Sequence, residues 1–281
     1  MSKIITKLFL DPKKYFPLIF KVIQQQFCFI FESTAFYWQG QMDINPKSRW
    51  YKKDFCNLTG GFFPRVDNQK RRICELEPWD NTRKDMMILL LKTIVDKNVS
   101  GDMAELGVYK GFTAKLIHSY VPEKRFHLFD TFEGFGKRGS IKEFEITNTN
   151  ISPKHFSDTS LERVRRFINS ENENIIYNKG YFPDNIPDNY KDLQFAFVHL
   201  DADLYDPIYE GLNFFYPRMA PNGIILVHDY NAWLGARKAV DDFFNKSNVL
   251  PIPMPDKSGS VVIVKQKNGE FYNSRITQKL K

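Results

Sequence analysis

Two apolar runs in this chain stop on carboxylates, and that pairing limits what the chain can fold into. The first is Phe197-Val198-His199-Leu200, which runs into Asp201-Ala202-Asp203-Leu204-Tyr205. The second is Gly223-Ile224-Ile225-Leu226-Val227, which runs into His228-Asp229-Tyr230. Short apolar runs of this kind read as strands buried on both faces, the signature of a parallel sheet. In open α/β sheets ligands bind just past the carboxyl ends of the strands. A carboxylate there is badly placed for packing and well placed for a cation or a reacting hydroxyl. Asp201, His228 and Asp229 offer carboxylate, imidazole and carboxylate, a donor set that suits a divalent metal. Helix capping accounts for any one of these aspartates. It accounts less well for carboxylates on two strand ends at once.

A third strand end adds a binding loop. Asp102-Met103-Ala104-Glu105-Leu106-Gly107-Val108-Tyr109-Lys110-Gly111 reads as strand, glycine turn, then a helix over 111–120. Glycines at such a turn let a ligand approach the backbone at the helix N-terminus. Tyr109 stands where the dinucleotide fingerprint has its middle glycine, which argues against a pyrophosphate. With the acidic Glu105 beside it, the loop suits a cationic or zwitterionic ligand. About 20 residues on, a strand over 125–129 ends in Asp130, a place suited to gripping ribose hydroxyls.

Five blocks then occur in order. They are Glu-Leu-Gly-Val-Tyr-Lys-Gly at 105–111, Phe-Asp-Thr-Phe-Glu-Gly at 129–134 and Lys-Gly-Tyr-Phe-Pro at 179–183. Leu-Asp-Ala-Asp-Leu-Tyr follows at 200–205, then Asp-Tyr at 229–230 with Gly-Ala-Arg-Lys-Ala-Val-Asp-Asp-Phe at 235–243. Together they resemble the macrocin O-methyltransferase family, over residues 102–244. The resemblance implies a Rossmann-like class I methyltransferase fold: a mostly parallel seven-stranded sheet with helices on both faces. It implies S-adenosylmethionine as cofactor, assistance by Mg²⁺, and methylation of a sugar hydroxyl on a glycoside or surface glycan. By the same resemblance Glu105, Gly107, Tyr109 and Gly111 shape the methionine end of the pocket. Asp130, with Thr131 beside it, binds the ribose, and Gly180 and Tyr181 lie near the adenine. Asp201, His228 and Asp229 hold the metal. The family carries two carboxylates at the second strand end, whereas this chain has His228 where the first is expected. Imidazole shifts metal preference from Mg²⁺ toward Mn²⁺ or Zn²⁺; alternatively His228 sits back as a base.

The chemistry follows from elementary considerations. A sugar hydroxyl is a weak acid and a poor nucleophile. A divalent cation stabilises its deprotonated form, and a nearby carboxylate or imidazole can take the proton. Asp201 is the expected combined ligand and base, with Asp203 and His228 as further catalytic candidates. His199, inside its strand, reads as a packed core histidine. Two other functions compete. A catechol-like phenol methyltransferase would use an aromatic slot from Trp38, Trp50 or Trp233. A non-catalytic binding protein on the same scaffold is disfavoured by the intact Glu105, Asp130, Asp201 and Asp229.

The rest of the sequence sets the frame. The 281 residues make one large domain with an appendage: an N-terminal helical or irregular extension over 1–80 and the catalytic domain over 81–281. Aromatic residues make up 15%, 26 of them Phe, so the core should be rich in rings. The net charge of +7 comes without a basic run interleaved with aromatics, so a nucleic-acid partner is not expected. Cys28, Cys56 and Cys74 lack metal-ligand spacing and point to a reducing cytoplasm. Residues 16–31 suit an amphipathic helix, packed on the domain or a second subunit rather than on a membrane surface. Residues 38–63 suggest a lid, and an oligomer is expected from the resemblance.

Further along, the spacing predicts a helix from Asp80-Asn81-Thr82 with Met86, Leu89, Leu90 and Ile94 on its buried face. Residues 134–155 read as a mobile loop and acceptor lid. Asp158-Thr159-Ser160 starts a helix with Leu161, Val164, Phe167 and Ile168 facing inward. Asp206-Pro207 caps another, with Ile208, Leu212 and Phe215 inward. A helix over 235–244 and a final strand pair, 249–253 with 260–265, close the chain.

Overall fold

The computed structural model describes residues 81–168, 173–245 and 247–266. The chain divides into two units after Asp67, and the described residues all lie in the second. The expectations for residues 16–31 and 38–63, for Cys28, Cys56 and Cys74, and for Trp38 and Trp50 fall outside the described residues.

Strands and helices alternate along the sequence. In chain order the elements are α1 (Asn81–Asp96), β1 (Asp102–Leu106), α2 (Phe112–Tyr120), β2 (Phe126–Asp130), α3 (Gly136–Thr147), α4 (Leu161–Ile168) and β3 (Ile175–Lys179). Then come β4 (Phe195–Leu200), α5 (Tyr205–Phe215), β5 (Met219–Val227), α6 (Leu234–Phe244), β6 (Ile252–Pro253) and β7 (Val261–Val264). They form one seven-stranded sheet in the order β3-β2-β1-β4-β5-β7-β6. The first five strands run parallel, and β7 is antiparallel to both neighbours. The strand order reverses between β1 and β4, so their carboxyl ends open a crevice there.

Burial explains the strand sequences. All six residues of β4 are buried, as are all five of β1. The α5–α6 pair, with α3 against both, covers one face; α1, α2 and α4 pack in sequence as a second layer. The ring-rich core expected from composition is present. Phe215 meets Phe195 at 5.1 Å and Phe129 at 5.8 Å, both edge to face, the arrangement favoured by the ring quadrupoles. Phe215 is fully buried, and truncating such a ring to alanine costs about 3–5 kcal/mol.

Three local expectations need correction. Residues 136–147, expected to be loop, form helix α3. Its inner face buries Ser140 and Glu143 rather than an apolar stripe, so apolar periodicity could not reveal it. Glu143 instead accepts a hydrogen bond from the Tyr205 amide at 2.7 Å and from Thr147 Oγ1 at 3.1 Å. That contact also corrects the start of α5. Its N-cap position is Leu204, which has no capping side chain, and Asp206 lies inside the first turn bonded to Lys142 at 2.8 Å. The cap is supplied by Glu143 from another helix. In α1 Met86 and Ile94 are buried as expected, but Met87, Ile88 and Leu91 complete the buried face while Leu89 is exposed. Apolar residues occur around more than one side of this helix, so phase could not be fixed from spacing. Among the described residues no helix is long and apolar enough to cross a membrane.

Candidate active site

A cavity of about 550 Å³ lies at the carboxyl ends of the parallel strands. Its wall includes Gly107, Tyr109, Asp130, Thr131, Gly180 and Tyr181 on one side, and Asp201, Asp203, His228 and Asp229 on the other. The sheet thus brings to one cavity the site residues singled out in the sequence except Glu105 and Gly111, the latter packed against Val164 and Ile168 instead.

On the first side the polar groups are tied to the backbone. Asp130 Oδ2 accepts hydrogen bonds from the amides of Val108 at 2.6 Å and Tyr109 at 2.9 Å. Its Oδ1 accepts from the Phe132 amide at 2.5 Å. The carboxylate predicted to grip a ribose therefore holds two loops in shape. Gly107 has φ near +90°, and a Cβ there would lie 2.1 Å from the Asp201 carbonyl oxygen. No residue with a side chain could join β1 to the loop this close to β4. Tyr109 turns outward. Its hydroxyl donates to Asp158 at 2.7 Å, and its ring meets Phe156 at 4.8 Å. Thr131 Oγ1 donates to the Gly134 carbonyl at 2.7 Å, and the Tyr181 hydroxyl donates to the Phe135 carbonyl at 3.1 Å.

Glu105 was expected at the cavity wall and lies behind it instead. It is fully buried, accepts from Thr113 Oγ1, and sits 2.9 Å from His199 Nδ1. Burial raises its pKa above the ordinary carboxylate value, against the opposing pull of His199 and Thr113. His199 is fully buried, as expected. It is more than filler, because its Nε2 lies 4.0 Å from Asp201 Oδ2. Sequence reasoning missed this link, although Glu105 and His199 are register partners across β1 and β4.

On the second side the charges crowd. His228 Nδ1 lies 2.8 Å from Asp201 Oδ1 and 3.1 Å from Asp229 Oδ2. Arg83, from α1, places Nη2 2.5 Å from Asp201 Oδ2. Burial would raise the Asp201 pKa, yet the charges of His228 and Arg83 hold it well below the ordinary range. Burial would lower the His228 pKa, but the charge and hydrogen bonds of Asp201, with help from Asp229, push it up to about 10. Asp203 behaves oppositely. Burial, the Asp201 charge and a hydrogen bond to Asp229 push its pKa well above the ordinary value. Asp203 is thus the carboxyl of the cluster least favoured as an anion, and it lines the cavity beside Asp201.

The donor set fits a divalent cation. One ligand atom each from Asp201, His228 and Asp229 lies within 4.8 Å of the other two, and all three residues face the cavity. Two carboxylate oxygens and an imidazole nitrogen suit Mn²⁺ or Zn²⁺ better than an all-oxygen set would. Part of the remaining wall comes from α3 and its flanks, through Phe135, Arg138 and Lys142. Phe135 stacks on His155 at 5.5 Å and meets Trp233 edge-on at 5.8 Å. Neither α3 nor Arg83 carried a sequence signal, because both reach the site through tertiary packing.

Known proteins resemble this arrangement. Residues 80–262 match the sequence profile of the macrocin-O-methyltransferase family. Demethyldecarbamoylnovobiocin O-methyltransferase of Streptomyces niveus is 24% identical over 168 residues, covering 57% of this chain and 64% of that protein. The match therefore spans just under two thirds of that relative's length. The 8-demethyl-8-(2,3-dimethoxy-alpha-L-rhamnosyl)-tetracenomycin-C 4'-O-methyltransferase of Streptomyces olivaceus is 25% identical over 187 residues. That match covers 63% of this chain and 71% of that protein. Among solved structures, the O-methyltransferase NovP superposes with a TM-score of 0.54 at 20% identity, covering 83% of this chain and 99% of that one. That likeness is one of fold.

Proposed function

The chain belongs to the macrocin-O-methyltransferase family, and we propose on that premise that it transfers a methyl group from S-adenosylmethionine to a sugar hydroxyl. The acceptor is a glycoside or a surface glycan. The observation that carries the reading is the meeting of Asp201, His228 and Asp229 on the wall of the cavity that the glycine loop also lines. The relatives that support the acceptor class are named as a demethyldecarbamoylnovobiocin O-methyltransferase and a 4'-O-methyltransferase of a rhamnosyl-tetracenomycin.

In this reading the glycine loop and Gly180 cradle the cofactor, and the backbone near Asp130 sets the depth of the adenosine site. The methyl already sits on a sulfonium, so the protein must align oxygen, carbon and sulfur. Positioning of that kind contributes roughly 7–11 kcal/mol. Asp201 takes the hydroxyl proton as the oxygen attacks carbon and the thioether leaves. A carboxylate held this far below its ordinary pKa is a weak base. It can serve only if the hydroxyl is made more acidic at the same moment. A divalent cation held by Asp201, His228 and Asp229 would supply that by stabilising negative charge on the hydroxyl oxygen. The ring of Phe135, with Trp233 against it at 5.8 Å, bounds the acceptor side.

The test is methyl transfer followed by mass spectrometry. Purified protein is mixed with S-adenosylmethionine and a panel of rhamnosides, other glycosides and catechols, with Mn²⁺, Mg²⁺ or a chelator. Methylation of a glycoside, lost in chelator, is expected. Methylation of catechols alone would replace the sugar acceptor with a phenol.

A further inference from the structure

Arg83 is the residue that no motif pointed to, and it occupies the most sensitive atom of the site. It is the third residue of α1, yet its Nη2 reaches Asp201 Oδ2 at 2.5 Å across 118 positions of sequence. The contact is largely sealed from solvent, with the two side chains 11% and 18% exposed. Arg83 also lines the cavity. We propose that Arg83 is a built-in competitor for the cation site: its guanidinium neutralises Asp201 in the cation-free protein, and a divalent cation binds only by displacing it or sharing that carboxylate. The inference rests on reading Asp201, His228 and Asp229 as the cation's ligands.

Asp201 Oδ1 already faces His228 at 2.8 Å, so Oδ2 is the oxygen still open to an incoming ion, and Arg83 holds it. A guanidinium stays charged at any pH the protein survives, so it cannot make room by losing a proton. It must move. Arg83 sits in the first turn of α1 and reaches Asp201 through a long unbranched stem. Until it moves, its charge repels a divalent cation a few ångströms away with little water between to screen the repulsion. Arg83 thereby keeps the cation site weak in the resting protein and makes its occupancy depend on the position of α1.

Calorimetric titration of Mn²⁺ into the full-length protein, with no methyl donor or acceptor present, reads this directly. Arg83→Gln should bind Mn²⁺ on the order of tenfold more tightly than the wild type. Arg83→Met, which keeps the packing of the stem, should do the same and serves if the Gln variant does not fold. Asp201→Asn should lose most of the binding. Equal or weaker Mn²⁺ binding by the folded Arg83 variants would overturn the competitor while leaving the cation site intact. No binding by the wild type or any Arg83 variant would overturn the competitor and the cation site together.

Discussion

Two aspartate–histidine pairs sit at opposite ends of the same sheet, and only one of them belongs to a site. Asp102, the first residue of β1, lies 2.9 Å from His127 Nε2. Asp201, just past the last residue of β4, lies 2.8 Å from His228 Nδ1. The local geometry is nearly the same and the surroundings are not. At the first pair every partner is accounted for: His127 Nδ1 meets the Tyr190 hydroxyl at 2.8 Å, and Arg125 Nη2 meets Asp102 at 3.1 Å. Burial would raise the Asp102 pKa, but His127 and Arg125 outweigh it and hold the carboxyl below its ordinary value. Neither residue lines the cavity. At the second pair Asp203 and Asp229 add two more carboxyl groups, the Asp203 pKa pushed well above the ordinary value by burial and the Asp201 charge, and the cluster opens on the cavity. An Asp–His contact alone marks no function. A surplus of carboxyl groups at a strand's carboxyl end, facing open space, does.

The comparison breaks most sharply on turnover. Asp201→Asn should lower the methyl-transfer rate about 10³-fold while S-adenosylhomocysteine still binds. Asp102→Asn should leave the rate within about twofold, since Asp102 does not line the cavity. Equal losses in initial-rate assays would mean the two pairs do not differ as described. Next in size is Asp130→Ala, which leaves the Val108, Tyr109 and Phe132 amides without their carboxylate. It should cost about 2–3 kcal/mol of stability, seen in denaturant melts, and weaken cofactor binding as the loops relax. His228→Asp should shift cation dependence toward Mg²⁺, raising the Mg²⁺-supported rate on the order of tenfold. A dead enzyme would instead make His228 a base.

The smallest effect is a pH dependence at the closed pair. The Asp102 carboxyl is more acidic in the folded chain than in the unfolded one. Its stabilisation is therefore complete above the unfolded value of about 4 and fades as pH falls through the folded value. Wild type should exceed Asp102→Asn by about 1–2 kcal/mol at pH 7, and the gap should close as the melts are repeated toward pH 3. A gap that widens on acidification would reverse the sign of the Asp102 contribution.

The sequence made the open end legible because its code is local. An apolar run stopping on Asp201 or on His228-Asp229, and a glycine turn after Leu106, state their geometry within a few residues. The closed or indirect contacts are written elsewhere. Helix α3 is held by Glu143 bonding an amide 62 residues away, and Arg83 acts on Asp201 from 118 residues away. Asp130 was recognised by its position, but its bonds to loop amides depend on how three segments meet. Glu105 and His199 looked like a wall residue and a filler. They are a buried pair, visible only once β1 and β4 are placed side by side.

The central claim is that this cavity is a methyl-donor pocket whose reaction end can take a cation. Titrating S-adenosylhomocysteine into the purified protein by calorimetry, with and without Mn²⁺, tests it most directly. The account predicts micromolar binding in both conditions, with Asp201→Asn retaining it. An absence of binding in every condition would contradict it and leave the cavity without its proposed ligand.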